Sequence, residues 1–377
     1  MNKIYLDNAS TTAIRPEVIQ EMTRVMMEDF GNPSSTHSYG RSAKVVLETA
    51  RKSIAKLLNA TTSEIIFTSG ATEANNWIIS NAVKKLHIQR IISTKVEHHA
   101  VLYPILEEQK EGVEVSFLSV DSNGCIDLNE LETLLADEKP TLVSLMHVNN
   151  ETGVVMNLNT VGALCKKYNA LFHSDTVQSI GKQTFNLQET PVDFIVASAH
   201  KFNGPKGVGF AYIKKNSRLG AMLLGGEQEK GLRAGTEAIH QIAGMAKALE
   251  LAYVNLEAES NRIKELKAFA WNELQKVFPL VKSNGNLEET FHSLLNVQLP
   301  FSAEKTAILL FELDMHGIAV SRGSACQSGT TKPSHVLAEM LSMGELQKPN
   351  IRISFSYTNT NDEVLQLVKV LKEIETK

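Results

Sequence analysis

From about residue 16 to residue 255, apolar runs rich in β-branched and aromatic residues alternate with segments of helical periodicity. No other feature restricts the fold as much, because strands and helices taken in turn predict a doubly wound sheet with helices on both faces. Five of the runs end in polar residues. Ile65-Ile66-Phe67-Thr68 meets Ser69-Gly70-Ala71-Thr72-Glu73, Arg90-Ile91-Ile92-Ser93-Thr94 meets Lys95-Val96-Glu97-His98-His99, and the run from Thr141 to Val148 meets Asn149-Asn150-Glu151. Ala170-Leu171-Phe172 leads to His173-Ser174-Asp175 and Gln178, and Val192-Asp193-Phe194-Ile195-Val196 leads to Ser198-Ala199-His200-Lys201. Ligands of open α/β sheets sit outside the carboxyl ends of strands, so these endings are candidates for one shared site.

Lys201 lies between a strand and the glycine-rich stretch Gly204-Pro205-Lys206-Gly207-Val208-Gly209. A lysine at the end of a buried strand loses hydration, which favours the neutral amine and hence a nucleophile able to form a Schiff base with an aldehyde. Pyridoxal 5'-phosphate is the aldehyde that suits it. The break at Gly70 opens a helix whose first turn offers N–H groups and the positive end of its dipole to a phosphate, with the Ser69 and Thr72 hydroxyls as further donors. A carboxylate such as Asp175 would keep a pyridine nitrogen protonated, and an imidazole such as His98 could stack on the ring. Taken singly, each of these is also what a turn lysine, an N-cap or a surface histidine looks like.

Taken together, the motifs resemble the NifS-like cysteine desulfurases of the class V, fold type I aminotransferase group. The resemblance runs from Tyr5-Leu6-Asp7-Asn8-Ala9-Ser10-Thr11-Thr12 and Phe30-Gly31-Asn32-Pro33-Ser34-Ser35 through the five endings above. It continues to Arg233-Ala234-Gly235-Thr236, Gly323-Ser324-Ala325-Cys326 and Ile351-Arg352-Ile353-Ser354. It implies that Lys201 carries the cofactor and shuttles the α-proton, Asp175 partners the pyridine nitrogen, Gln178 donates to the ring hydroxyl and His98 stacks on the ring. It further implies that Ala71, Thr72, Ser198 and His200 cradle the phosphate, and that Asn150, Arg352 and Asn32 hold the substrate. A planar guanidinium is suited to a carboxylate. In this family a threonine from the neighbouring subunit completes the cradle. Thr236 matches it, which implies a homodimer with shared active sites, and it can also serve as a helix N-cap before Glu237.

The cysteines sharpen the reaction. Three are present, Cys125, Cys165 and Cys326, too few and too scattered for a disulfide framework. Cys165 falls in an apolar helical pattern and Cys125 follows the Asn123-Gly124 turn, whereas Cys326 stands in a small-residue stretch expected to be accessible. The resemblance makes Cys326 the nucleophile that takes sulfur from L-cysteine, leaving L-alanine and a persulfide to be passed to an acceptor, such as an iron–sulfur scaffold protein. A selenocysteine lyase and an aminotransferase of the same fold are the alternatives. The chain departs from the family at Glu227 and Lys230, before the shared threonine, which puts contacts across the dimer in doubt. It departs again at Gln327, which puts in doubt how the thiolate is stabilised. The distance from Cys326 to Arg352 resembles the long-loop branch.

A chain of 377 residues with 43% apolar and 21% charged residues is long enough for two cores. A net charge of -4 gives no footprint for nucleic acid, and no apolar run approaches the ~20 residues of a membrane span. The expectation is a cytoplasmic α/β enzyme, with a large cofactor-binding domain over residues 15–255 built on a mostly parallel mixed sheet. Residues 1–14 and 256–377 are expected to form a smaller α+β domain. Residues 236–278 read as almost continuous helix, and Thr360-Asn361-Asp362-Glu363 as a capping box before the last one.

Overall fold

The computed structural model describes residues 3–137, 139–323 and 333–376. Among these, the main sheet has seven strands in the order Ile65–Thr68, Gly209–Ile213, Phe194–Ser198, Leu171–Asp175, Thr141–Ser144, Arg90–Thr94, Glu114–Leu118. Only Gly209–Ile213 runs against the rest, so the sheet is mixed but mostly parallel. Its strands are apolar on both faces because both faces are covered. Phe67, Ile92, Val143, Phe172 and Ile195 pack toward the helices Pro16–Glu28, Ser38–Leu57 and Ile239–Val254. Their neighbours in sequence, Ile66, Ile91, Leu142, Phe194 and Val196, pack toward Ala71–Leu86 and His99–Lys110. The alternation is the period of two of a pleated strand.

A second apolar core joins Ile4 and Leu6 to the helices Leu256–Val277 and Asn361–Thr376 and to a three-stranded antiparallel sheet, Asn350–Ser354, Leu294–Gln298, Lys282–Ser283. The strand Ile4–Tyr5 pairs in parallel with Ile318–Ala319, and Asp7 bridges to Ser354. The amino-terminal segment therefore crosses between the two cores, since Thr12 and Arg15 bond the backbone of His200 and Asn203 beside the main sheet.

The helical stretch 236–278 is two helices rather than one, with the turn at Asn255. The first begins only at Ile239, capped by Ala238 without a side-chain bond, so Thr236 is not an N-cap. At the last helix the capping box is present: the Glu363 amide donates to Thr360 Oγ1 and the Thr360 amide to Glu363 Oε2. No helix among the described residues is long and apolar enough to cross a membrane.

Candidate active site

Because the six co-directional strands end on one side, the polar endings converge on one cavity of about 230 Å³. It is lined by Ala71, Thr72, His98, Asn150, Asp175, Gln178, Ser198, His200, Lys201 and Arg352, together with Ala9, Ser10, Asn75, Ala100, Met146 and Val177.

At the end of the edge strand, Gly70 adopts φ +154°, where a side chain would be strained. This turn aims the helix Ala71–Leu86 into the cavity, and the Ala71 amide donates to Ser198 Oγ at 2.8 Å. The Ser69 hydroxyl, expected as a further phosphate donor, instead donates to Glu73 Oε2 at 2.7 Å, and Glu73 is paired with Arg233. Both groups are therefore spent away from the cavity.

Asp175 ends its strand with both oxygens served by N–H donors, Oδ2 by Asn75 Nδ2 at 2.8 Å and Oδ1 by the Val177 amide at 3.0 Å. The His98 ring caps its own helix by accepting from the Ala100 amide through Nδ1. Burial, reinforced by the Lys201 and His335 charges against the opposing pull of Asp175, holds its pKa below the ordinary value. A neutral ring with an unprotonated Nδ1 is what that cap requires. His200 is likewise held low, at about 4, by burial and by the nearby Lys201 and Lys206.

Lys201 Nζ donates to the carbonyl oxygens of Ala9 at 2.7 Å and Ser10 at 2.8 Å. Gln178 Nε2 donates to the same Ala9 oxygen at 2.9 Å. Arg352 is only 1% exposed; it pairs with Asp7 Oδ1 at 2.8 Å and donates to Ser10 Oγ and to the Asn150 carbonyl, each at 2.7 Å. Its Nε and the Asn150 Oδ1 are buried without hydrogen-bond partners. Polar capacity left over at a buried cavity wall points to a ligand that uses it.

Asn32 and Thr236 are exposed and are not among the residues lining this cavity. Asn32 Oδ1 accepts from the Ser34 amide within its own turn. Lys230 donates to the Thr62 carbonyl of its own chain at 2.7 Å, and Glu227 caps the short turn Gln228–Gly231. Cys326 and Gln327 lie outside the described residues. On either side of that stretch, Gly323 and Ser334 approach Glu151, to which the Ser334 hydroxyl donates. Of the described cysteines, Cys165 is buried with its thiol pushed up to about 12, and Cys125 is raised by burial and by Asp121 and Glu289. Both are poor thiolates.

The cavity-lining residues missed by sequence reasoning are Ala9, Ser10, Asn75, Ala100, Met146 and Val177. Asn75 sits one turn into a helix with no mark to distinguish it from a solvated asparagine.

The sequence pattern of the family described as Aminotransferase class-V matches residues 4–367. The chain belongs to the class-V aminotransferase family. Within it, the chain is 39% identical over 377 residues to a cysteine desulfurase IscS of Dictyoglomus turgidum, covering 100% of this chain and 95% of that one. A solved structure titled NifS-like protein superposes with a TM-score of 0.92 at 36% identity, covering all of both chains. Another, titled SspA in complex with cysteine, gives a TM-score of 0.83 at 29% identity, covering 95% of this chain and 100% of that one. Pyridoxal 5'-phosphate is the cofactor of this class-V family. The donor set fits it: a helix N-terminus with Ser198 and His200 for the phosphate, a carboxylate for the ring nitrogen and a lysine for the aldehyde.

Proposed function

We propose that this protein is a pyridoxal 5'-phosphate-dependent cysteine desulfurase that takes sulfur from L-cysteine and releases L-alanine. The observation that carries the reading is the placing of Lys201, Asp175 and Arg352 around one cavity beneath a helix N-terminus. When bound, the cofactor supplies an electron sink for the substrate α-carbon.

The protein's own residues do the rest. Ala71, Thr72, Ser198 and His200 hold the phosphate, and Asp175 with Gln178 and His98 fixes the ring's orientation. Lys201 moves the α-proton, for which its approach to two carbonyl oxygens keeps Nζ at the cavity edge. Arg352 and Asn150 receive the substrate carboxylate, for which the unpartnered Arg352 Nε–H is a donor to spare, while the unpartnered Asn150 Oδ1 can accept only from an N–H or O–H of the ligand. The Cys326 thiolate attacks the substrate sulfur: the Sγ–Sγ bond forms, the Cβ–Sγ bond breaks, and its electron pair is taken up with a proton at Cβ. Cys326 is left as the persulfide. The weak acidity of Cys125 and Cys165 supports Cys326 in that role.

The same reading includes a homodimer in which Thr236, outside its own chain's cavity, completes the partner's phosphate cradle, with Asn32 beside the substrate. It also includes a sulfur-accepting partner such as an iron–sulfur scaffold protein, a cytoplasmic location, and domain limits of 15–255 against 1–14 with 256–377. The test is incubation of the cofactor-loaded protein with L-cysteine and a thiol reductant. Sulfide and alanine in equal amounts are expected, and Cys326→Ser should release neither while still changing colour on binding cysteine. Full turnover by Cys326→Ser would remove the thiol from the reaction and favour a selenocysteine lyase or a β-eliminating lyase. Alanine formed only with a keto acid would favour an aminotransferase.

A further inference from the structure

Behind Asp175 runs a chain of buried side chains that the reaction does not touch. Asn75 Nδ2 donates to Asp175 Oδ2 at 2.8 Å, Asn75 Oδ1 lies 3.0 Å from His173 Nε2, and His173 Nδ1 lies 2.8 Å from Ser144 Oγ. Asn75 and His173 have no exposed surface and Ser144 almost none. The three come from a helix and two neighbouring strands of the main sheet, so the chain is fixed at both ends by the core.

We propose that Ser144, His173 and Asn75 form a positioning relay that presents the amide N–H of Asn75, and never its oxygen, to Asp175, so that Asp175 meets the cofactor as an acceptor. The proposal rests on the cofactor reading given above.

The order of donors leaves one arrangement for an ionised Asp175. A carboxylate can only accept, so Asn75 must turn its nitrogen toward it and its oxygen toward His173. His173 must then carry its proton on Nε2, and its Nδ1 accepts from the Ser144 hydroxyl. Burial holds the His173 pKa down at about 3, so the ring has a single N–H to place. Reversing any link reverses them all, and the reversed chain ends at an oxygen facing Oδ2, which requires Asp175 to be protonated. Asp175 in that form could not hold a pyridine nitrogen protonated. The other ionisable groups whose charges bear on this part of the cavity are His98, Glu97 and Lys201.

The test compares holoenzyme variants by cofactor retention, by the pH dependence of the visible absorption band, and by thermal unfolding. Asn75→Leu should weaken pyridoxal phosphate binding about tenfold, as expected for loss of a hydrogen bond to a charged group. His173→Gln places an amide N–H near the Nε2 position and should stay within about threefold of wild type, whereas His173→Leu should match Asn75→Leu. Asn75→Asp keeps the volume but sets two carboxyls against each other, and a new titration step of the visible band is expected as they share one proton. In ¹⁵N-histidine-labelled wild type, His173 should show a protonated Nε2.

A protonated Nδ1, equal damage from His173→Gln and His173→Leu, or an Asn75→Asp band that titrates like wild type would overturn the relay. A wild-type chain that takes up no pyridoxal phosphate, or an Asp175→Asn variant that binds and reacts like wild type, would overturn the reading beneath the relay as well. Those two outcomes are visible without any relay variant.

Discussion

Two buried arginines sit in the same molecule and do different work. Arg51, 2% exposed, is gripped from one side by a carboxylate: both terminal nitrogens reach Glu229, at 2.8 and 2.7 Å, one also donates to the Ile65 carbonyl, and the guanidinium lies 4.5 Å over the Phe67 ring. Arg352 has one carboxylate oxygen, one hydroxyl and one backbone carbonyl, and it faces a cavity. A fork that grips one carboxylate with both ends is a structural tie, while a fork spread over separate partners at a cavity wall can exchange them for a second anion. Burial, charge and the number of hydrogen bonds are the same in both; what separates them is that two of Arg51's bonds go to one carboxylate, whereas Arg352's go to three different groups at the wall of the candidate active-site cavity.

The largest expected effect tests the closed pair. Arg51→Met leaves Glu229 buried without its cation and should cost about 3–5 kcal/mol of stability in denaturant unfolding. Activity per folded molecule should stay near wild type. Pairing it with Glu229→Leu should recover most of the loss, because a well-packed apolar replacement removes the stranded charge. Next, Arg352→Lys keeps the charge but loses the planar fork, and should raise KM for L-cysteine about 30-fold, or ~2 kcal/mol, with a much smaller change in melting temperature. If Arg352→Lys instead melts like Arg51→Met and leaves KM unchanged, the two arginines are alike and the comparison is broken.

The smallest effect concerns groups that, unlike arginine, titrate. His147 is buried with its pKa pushed down to about 4. Between the unfolded value near 6.5 and that value the unfolded chain binds more protons, so this contribution to stability is full above pH 6.5 and falls as the pH drops. From pH 7.5 to 5.5 the loss should be about 1 kcal/mol, and His147→Gln should flatten the stability profile by that amount.

The cavity-lining side chains that sequence made legible lie at strand ends, where an apolar run stops on a polar residue: His98, Asp175, Ser198 and Lys201. The fold was legible for the same reason, since alternating strands and helices leave few topologies. What stayed hidden was of two kinds. Ala9 and Ser10 bond Lys201 through backbone carbonyls, which every residue possesses, so no residue type announces them. Asn75 faces inward only because of its helical phase relative to Asp175, a distance of 100 positions that local pattern does not span. Thr236 failed as a cap because the helix begins later, at Ile239. Ser69 failed as a phosphate donor because Glu73 lies one turn away and takes its hydroxyl.

The clasp of Lys201 by Ala9 and Ser10 bears on the order in which the protein becomes competent during synthesis. Those carbonyls belong to a segment whose strand pairs with Ile318–Ala319 and whose Asp7 meets Arg352, 345 positions away. While the ribosome has yet to deliver residue 352, the main sheet can form, with its lysine and helix N-terminus in place, but residues 4–8 lack the strands and the arginine that hold them. On the proposed roles, a nascent chain can thus have the cofactor's seat before it has the substrate's, and amino acid turnover should begin only once both ends of the polypeptide have met.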